Sequence, residues 1–309
     1  MISFPIKKTE RRLSMKISDI LSSGKTTLSF EVFPPKTDSS LESVKWAAME
    51  IASLRPSFMS ITYGAGGGTS DFTIEIAKVI NEYMNVPAIS HLTCLSSDEE
   101  TIKARINDIL NAGLDNVMAL RGDIPKDMTP EDLATRPYKH AVELIGEIKK
   151  YGAQLCIGGA CYPETHPEAV SSEADLEYLK MKQDAGCEFF TTQMFFSNEL
   201  FYDFVDRARK IGITIPIVAG IMPITNLKQA KRSVEMSGSF FPERLNAYVE
   251  KFGNDYLSMK QAGINYAIEQ ITDLYAHGVK NIHVYSMNKP DVARTISEAV
   301  SPMVGKKYE

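Results

Sequence analysis

Leu28-Ser29-Phe30-Glu31-Val32-Phe33-Pro34-Pro35 is a short, mostly apolar run closed by two prolines. Its length and its aromatic and β-branched content read as one buried strand with a carboxylate in the middle. Strand side chains alternate between faces, so Phe30, Val32 and Pro34 share one side while Ser29, Glu31 and Phe33 share the other. A lone carboxylate between aromatics is costly to desolvate, which favours its protonated form. Two readings of Glu31 stand side by side: an ion-pair partner of a Lys or Arg elsewhere, or a general acid held at a strand end. The prolines matter for the fold. An open, doubly wound sheet would carry G-x-G-x-x-G at its first turn, and neither this turn nor the later Gly64-Ala65-Gly66-Gly67-Gly68 has that spacing.

Outward from this strand the same plan repeats. Further strands are expected at 58–63, 86–94, 116–120, 154–162, 188–195, 215–221 and 281–287. The first helix has Ser39 and Glu42 spaced as a capping box, then an apolar stripe of Leu41, Val44, Ala48, Ile51 and Leu54. Helices follow at about 70–84, from Asp98 to a stop at Gly113, and at 137–151 after a long loop with Pro125 and Pro130. More are expected at 172–185, 199–211, 225–236 and 255–277, with 242–251 as an insertion and Pro290 opening the last at its first turn. Eight strand-helix units imply a parallel sheet, and eight in this length fit one closed (β/α)8 barrel. The expectation is a single-domain TIM barrel over 15–309, with an extra helix between strands seven and eight. Residues 1–14 read as a loose N-terminal extension.

Composition narrows the function classes. A net charge of -5 and a pI near 5.7 leave no basic footprint for nucleic acid. No apolar run reaches membrane-spanning length, and the basic residues Lys7, Lys8, Arg11 and Arg12 precede no signal-like apolar stretch. Cys94, Cys156, Cys161 and Cys187 form no C-x-x-C, so free buried thiols of a cytoplasmic protein are expected and a metal site is not.

Barrel enzymes work at the C-terminal ends of their strands. The polar residues there are Glu31, Thr62, Tyr63, His91, Arg121, Asp123, Tyr162, His166, Gln193, Asn288 and Lys289. Almost all fall on one rim. His91 reads equally as a satisfied core histidine, and Arg121-Gly122-Asp123 as a plain turn. Gln193 sits in an apolar wall where its amide needs partners, which favours a ligand.

Six motifs then carry a resemblance. Phe30-Glu31-Val32-Phe33-Pro34-Pro35, Thr62-Tyr63-Gly64-Ala65, Leu120-Arg121-Gly122-Asp123, Tyr162-Pro163-Glu164-Thr165-His166-Pro167-Glu168-Ala169, Thr192-Gln193-Met194-Phe195-Phe196 and Gly220-Ile221-Met222-Pro223 resemble the methylenetetrahydrofolate reductases, in that family's order. The length resembles the bacterial form, without the regulatory domain of eukaryotic relatives. The resemblance implies non-covalent FAD on the C-terminal face and NADH or NADPH as hydride source. It implies ping-pong reduction of 5,10-methylenetetrahydrofolate to 5-methyltetrahydrofolate, feeding methionine synthesis, by a homo-oligomer. A related barrel flavoprotein with another donor or substrate, or a barrel that binds folate or flavin without turnover, are the alternatives.

The same resemblance implies roles. Glu31 would protonate folate N10, and Asp123 would stabilise the resulting cation beside the flavin. Thr62, Tyr63, Ala65, His91, Leu120, Arg121, Gly122, Asp123, Tyr162, His166, Ala169, Asp175 and Lys182 would line the FAD site, with Arg121 or Lys182 near its diphosphate. Gln193 and Gln229 would hold the pterin region, and Lys289 the folate glutamate tail, where relatives carry Arg. Ser233 stands where some relatives have an aromatic, and Tyr178 and Met181 where they have polar residues.

Overall fold

A computed structural model describes residues 15–35, 37–63, 70–124, 128–152 and 154–305. Eight parallel strands close into a barrel in chain order. They are β1 (Thr27–Val32), β2 (Met59–Ile61), β3 (Ala88–Thr93), β4 (Asn116–Leu120), β5 (Cys156–Cys161), β6 (Phe189–Thr192), β7 (Ile217–Ile221) and β8 (Asn281–Tyr285). The helices are α1 (Ile17–Ser22), α2 (Leu41–Ser53), α3 (Ser70–Lys78), α4 (Glu99–Asn111), α5 (Pro130–Thr135) and α6 (Ala141–Lys149). They continue as α7 (Ser172–Asp184), α8 (Asn198–Lys210), α9 (Leu227–Ser237), α10 (Glu243–Phe252), α11 (Tyr256–Ala276) and α12 (Pro290–Val300). The expected TIM barrel is therefore the observed fold, with α10 as the extra helix between β7 and β8.

Alternation along β1 sorts its residues as the pattern predicts. Leu28, Phe30 and Val32 join the large apolar layer between strands and helices, whereas Ser29 and Glu31 meet polar partners across the barrel interior. The lower interior is filled by Phe58, Ile89, Met118, Cys156, Phe189 and Val218. Gly158 makes that filling possible, since a Cβ there would lie 2.3 Å from the Phe189 ring. Helix α1 plugs this end with Ile17 and Leu21, and the Ile17 N–H donates to Asn116 Oδ1 at 2.9 Å. The bottom is sealed, which leaves the opposite face for chemistry.

Some boundaries differ from expectation. A 3-10 turn, Asp38–Ser40, leads into α2, and Ser39 makes no box with Glu42. Glu42 instead bonds Lys45 at 2.8 Å. The helix expected at 70–84 changes at Lys78 into a wider π turn, Val79–Tyr83. Part of the expected long loop is α5, because Thr129 and Asp132 cap each other reciprocally. Helix α6 starts at Ala141 rather than near 137, where the Glu143 carboxylate gathers the N–H groups of Lys139 and His140. The four cysteines are free and buried. Cys156 faces the interior and Cys161 the helix layer, as their spacing requires. Among the described residues no helix is long and apolar enough to cross a membrane.

Candidate active site

Register places the central carboxylate. Glu31 on β1 is level with Ser60 on β2 and with Tyr285 on β8. Among the described residues all its side-chain polar contacts go through Oε2: Ser60 Oγ at 3.3 Å, and the Nε2 atoms of His91 and His283 at 3.8 Å each. Oε1 is the oxygen left for a ligand. No Lys or Arg pairs with Glu31 among the described residues, so of the two sequence readings the ion-pair one finds no partner. Nor is it a lone carboxylate in an apolar wall: its side chain is 20% exposed and its neighbours are polar.

Those neighbours are held in turn. His283 lies 3% exposed beneath Glu31, its ring stacked on Phe58. Its Nε2 is 3.0 Å from Ser60 Oγ, and its Nδ1 is 2.8 Å from Ser29 Oγ. The half-buried Tyr285 donates its hydroxyl to Thr192 O. Gly220 opens that path, because a Cβ there would sit 2.6 Å from the phenol oxygen. Burial pushes the Tyr285 phenol well above its ordinary value, so it stays protonated. His91 is buried, and desolvation pulls it down to about 4, so it is neutral near pH 7. Its Nε2 has no hydrogen-bond partner among the described residues. His283, Ser60, Ser29 and Tyr285 were missed in the sequence. Period-2 alternation through Asn281-Ile282-His283-Val284-Tyr285 would have placed His283 on the inner face.

A second cluster gathers on the loops after β4 and β5. Arg121 forks onto Glu168 with bonds of 2.5 and 2.9 Å, which hold Glu168 below the usual carboxylate range. Gly122 takes φ +86, which explains glycine in that turn, and Asp123 follows it exposed. His166 Nδ1 accepts from the Glu168 N–H, and its ring meets Tyr162 edge-on at 4.6 Å. Burial lowers His166 and raises Tyr162 to about 12. The Asp175 carboxylate accepts from the His166 N–H at 2.9 Å, and the Ala169 N–H closes the same turn onto His166 O. Lys182 is half-buried on α7 and donates to Ala160 O at 2.7 Å, and desolvation lowers its pKa. Tyr162, Asp175 and Lys182 line one small cavity. Tyr178 stacks on His140, and Met181 is exposed.

The remaining expected residues spread round the rim. The Thr62 N–H donates to Val32 O, and Thr62 O accepts from Thr73 Oγ1. Tyr63 and Leu120 are half-buried against the two apolar layers. Ala65 lies outside the described residues. Gln193 Oε1 accepts from the Met194 N–H. The Gln229 amide is spent on its own loop: Oε1 takes the Thr225 N–H and hydroxyl, and Nε2 donates to Pro223 O. Lys289 is half-buried and donates to Thr225 Oγ1 at 2.7 Å, so it is less free than an exposed tail partner. Asn288 is a clamp, bonded through Oδ1 and Nδ2 to the Phe33 N–H and O. Ser233 is buried. No group of three His, Cys, Asp or Glu among the described residues could hold a metal ion.

Comparison with known proteins bears on this geometry. The family model described as methylenetetrahydrofolate reductase matches residues 16–301. The chain is 36% identical over 283 residues to a 5,10-methylenetetrahydrofolate reductase of Salmonella typhimurium, covering 91% of this chain and 93% of that one. It is 37% identical over 283 residues to a methylenetetrahydrofolate reductase (NADH) 1 of Arabidopsis thaliana, covering 88% of this chain. The chain spans about half the length of that plant relative, 48%. Among solved structures, an uncharacterized Clostridium thermocellum protein that binds two copies of 5-methyl-5,6,7,8-tetrahydrofolic acid shares the fold at TM-score 0.62. It is 16% identical, with 94% of this chain and 100% of that one covered. An oxaloacetate acetylhydrolase follows at TM-score 0.51 and 12% identity, covering 94% of this chain and 88% of that one.

Proposed function

The chain belongs to the methylenetetrahydrofolate reductase family, and from that premise we propose that it reduces 5,10-methylenetetrahydrofolate to 5-methyltetrahydrofolate, with NADH or NADPH as reductant. FAD is the proposed bound cofactor, and when bound it supplies the hydride carrier that the two substrates use in turn. Two features of the rim suit such a group. The buried His91 Nε2 has no hydrogen-bond partner among the described residues, and a ligand atom would supply one. Arg121 and Lys182 bring two cations toward one side, where an anionic diphosphate would be held. Thr62, Tyr63, Ala65, Leu120, Gly122, Tyr162, His166, Ala169 and Asp175 complete the proposed FAD wall.

The observation that carries the reading is Glu31. It stands at the inner mouth of the barrel with Oε2 anchored and, among the described residues, no partner on Oε1. A carboxyl fixed at one oxygen presents the other to the nitrogen that must leave when the folate ring opens. Asp123 offers an exposed carboxylate on the same rim to offset positive charge that develops on the substrate. Gln193 keeps its amide NH2 as the donor it offers the pterin. Gln229 shapes the loop that carries Thr225, and through Thr225 it positions Lys289.

Anaerobic half-reactions test this. The purified protein should be yellow, bleach with NADH or NADPH, and regain colour with methylenetetrahydrofolate. Glu31→Gln keeps the shape of the side chain, so bleaching should proceed near the normal rate. Its reoxidation by folate should fall at least ~100-fold, the usual scale for a lost general acid. Equal slowing of both halves would sink the acid assignment, and a colourless protein that binds no FAD would sink the cofactor.

A further inference from the structure

The contacts below Glu31 form one uninterrupted chain. Glu31 Oε2 lies 3.3 Å from Ser60 Oγ, which lies 3.0 Å from His283 Nε2. His283 Nδ1 lies 2.8 Å from Ser29 Oγ, which lies 3.0 Å from the carbonyl oxygen of Ile282. Each hydroxyl has one proton to give, so the polarity of the chain can be worked out.

Two arrangements satisfy all four contacts. In the first, Glu31 is protonated on Oε2 and donates to Ser60, Ser60 donates to Nε2, Nδ1–H donates to Ser29, and Ser29 donates to Ile282 O. In the second, the Glu31 O–H has broken and passed its proton to Ser60, while the Ser60 proton has passed to Nε2. That leaves a carboxylate and an imidazolium with the same total number of protons. Remove one proton altogether, and a carboxylate faces a neutral imidazole. Only three of the four bonds can then be made: if Ser60 donates to Oε2, Nε2 must carry the imidazole proton, Nδ1 is bare, and Ser29 turns away from Ile282 O.

We propose that Glu31, Ser60, His283 and Ser29 form a closed store for one proton, and that His283 is the positioning residue which keeps Glu31 loaded as the acid. The store rests on the Glu31 reading above and extends it to residues on two other strands. It is closed because a backbone carbonyl ends it and cannot pass a proton on. The other titratable groups facing Glu31 do not share the proton: His91 is neutral near pH 7, and Tyr285 keeps its proton on Thr192 O. Glu31 is the store's opening to the mouth, since its side chain is 20% exposed and that of His283 is 3%.

Imidazole nitrogen NMR reads the store without any cofactor. The chain has five histidines, so the His283 signals can be assigned by their loss in His283→Phe. In the native protein Nδ1 should carry a proton at low pH and lose it as pH rises and the store empties. In Glu31→Gln the amide donates permanently to Ser60, so Nδ1 should keep its proton through the same range. Half-reactions give a second reading. His283→Phe leaves Ser60 no acceptor but the Glu31 carboxylate, which favours the ionised form. The pH above which folate reoxidation declines should then move down by about one unit, the scale of one hydrogen bond. Ser60→Ala should also slow reoxidation more than flavin reduction. A His283 whose nitrogens ignore Glu31→Gln, or a His283→Phe that is slower with its pH limit in place, would overturn the store. Glu31→Gln would still separate the two half-reactions in that case, whereas failure of the acid reading would slow them equally and leave the NMR coupling intact.

Discussion

On the arc of the rim built from β1, β2, β3 and β8, Glu31 meets hydroxyls and imidazoles. On the arc built from β4, β5 and α7, Arg121, Glu168, Asp175 and Lys182 keep fixed charges within reach of one another. The difference lies in what each arc can change. Hydroxyls and imidazoles let a proton move between sites that lie close in energy, because both ends of each bond can donate or accept. A guanidinium does not give up its charge, so Arg121 suits an anion that must stay put through the reaction. One barrel mouth thus sets a cluster of hydroxyls and imidazoles apart from a cluster of ion-paired side chains.

Four changes would break or sharpen that division. The largest expected effect is on the first arc and on stability. Between pH 6.5 and about 4 the unfolded chain takes up a proton at His91 that the folded barrel refuses. Stability should therefore fall as pH falls through that window, by about 2–3 kcal/mol near pH 4.5. Denaturant unfolding at pH 7 and 4.5 checks this, and His91→Gln should remove most of the decline. An unaltered decline would mean that the imidazole is hydrated and the arc is not dry.

On the second arc, Lys182→Met should weaken FAD binding about 10- to 100-fold, the range of one charged hydrogen bond, with little change in the folate step of enzyme that has been loaded. Equilibrium dialysis decides it. A loss confined to folate reoxidation would move Lys182 across the division. Glu168→Gln should act in the opposite sense. It frees the Arg121 fork, so FAD should bind a few-fold tighter at low salt, and the gain should shrink as salt rises. Weaker binding would show that Glu168 positions Arg121 rather than competing with an anion. The smallest effect belongs to Lys289→Ala. Its amine already has Thr225 as a partner, so the folate KM should rise by no more than about 5-fold, the equivalent of about 1 kcal/mol, with NADH reduction unaltered. An unchanged KM at low salt would take Lys289 out of the site.

The barrel was legible because each strand announces its own faces. Phe30 and Glu31 fall on opposite sides whatever the rest of the chain does, and eight repeats of that pattern leave little choice of fold. Local capping was less secure. Ser39 and Glu42 have the spacing of a box, yet a 3-10 turn outcompetes it once Lys45 takes the Glu42 carboxylate. The site was legible residue by residue but not in its connections. His283 matters because β8 pairs with β1 at Ser29, a register that the alternation within one strand does not contain. The partner of Lys289 was hidden too: Thr225, which accepts from its amine, comes from the loop before α9.

The seam between β1 and β8 has a further consequence for how the molecule is made. Ser286 Oγ donates to Glu31 O, and Asn288 clasps both backbone groups of Phe33, so the first and last strands are stitched directly beside Glu31. During synthesis β1 emerges first and β8 last. Throughout that interval β1 has an open edge, and Ser29 and Glu31 lack His283. Barrel closure and assembly of the contacts around Glu31 thus both wait for the final strand. A nascent chain halted before β8 would hold seven strands with two unpaired edges, on β1 and β7, and the molecule would complete the contacts around Glu31 and lose those edges at the same moment.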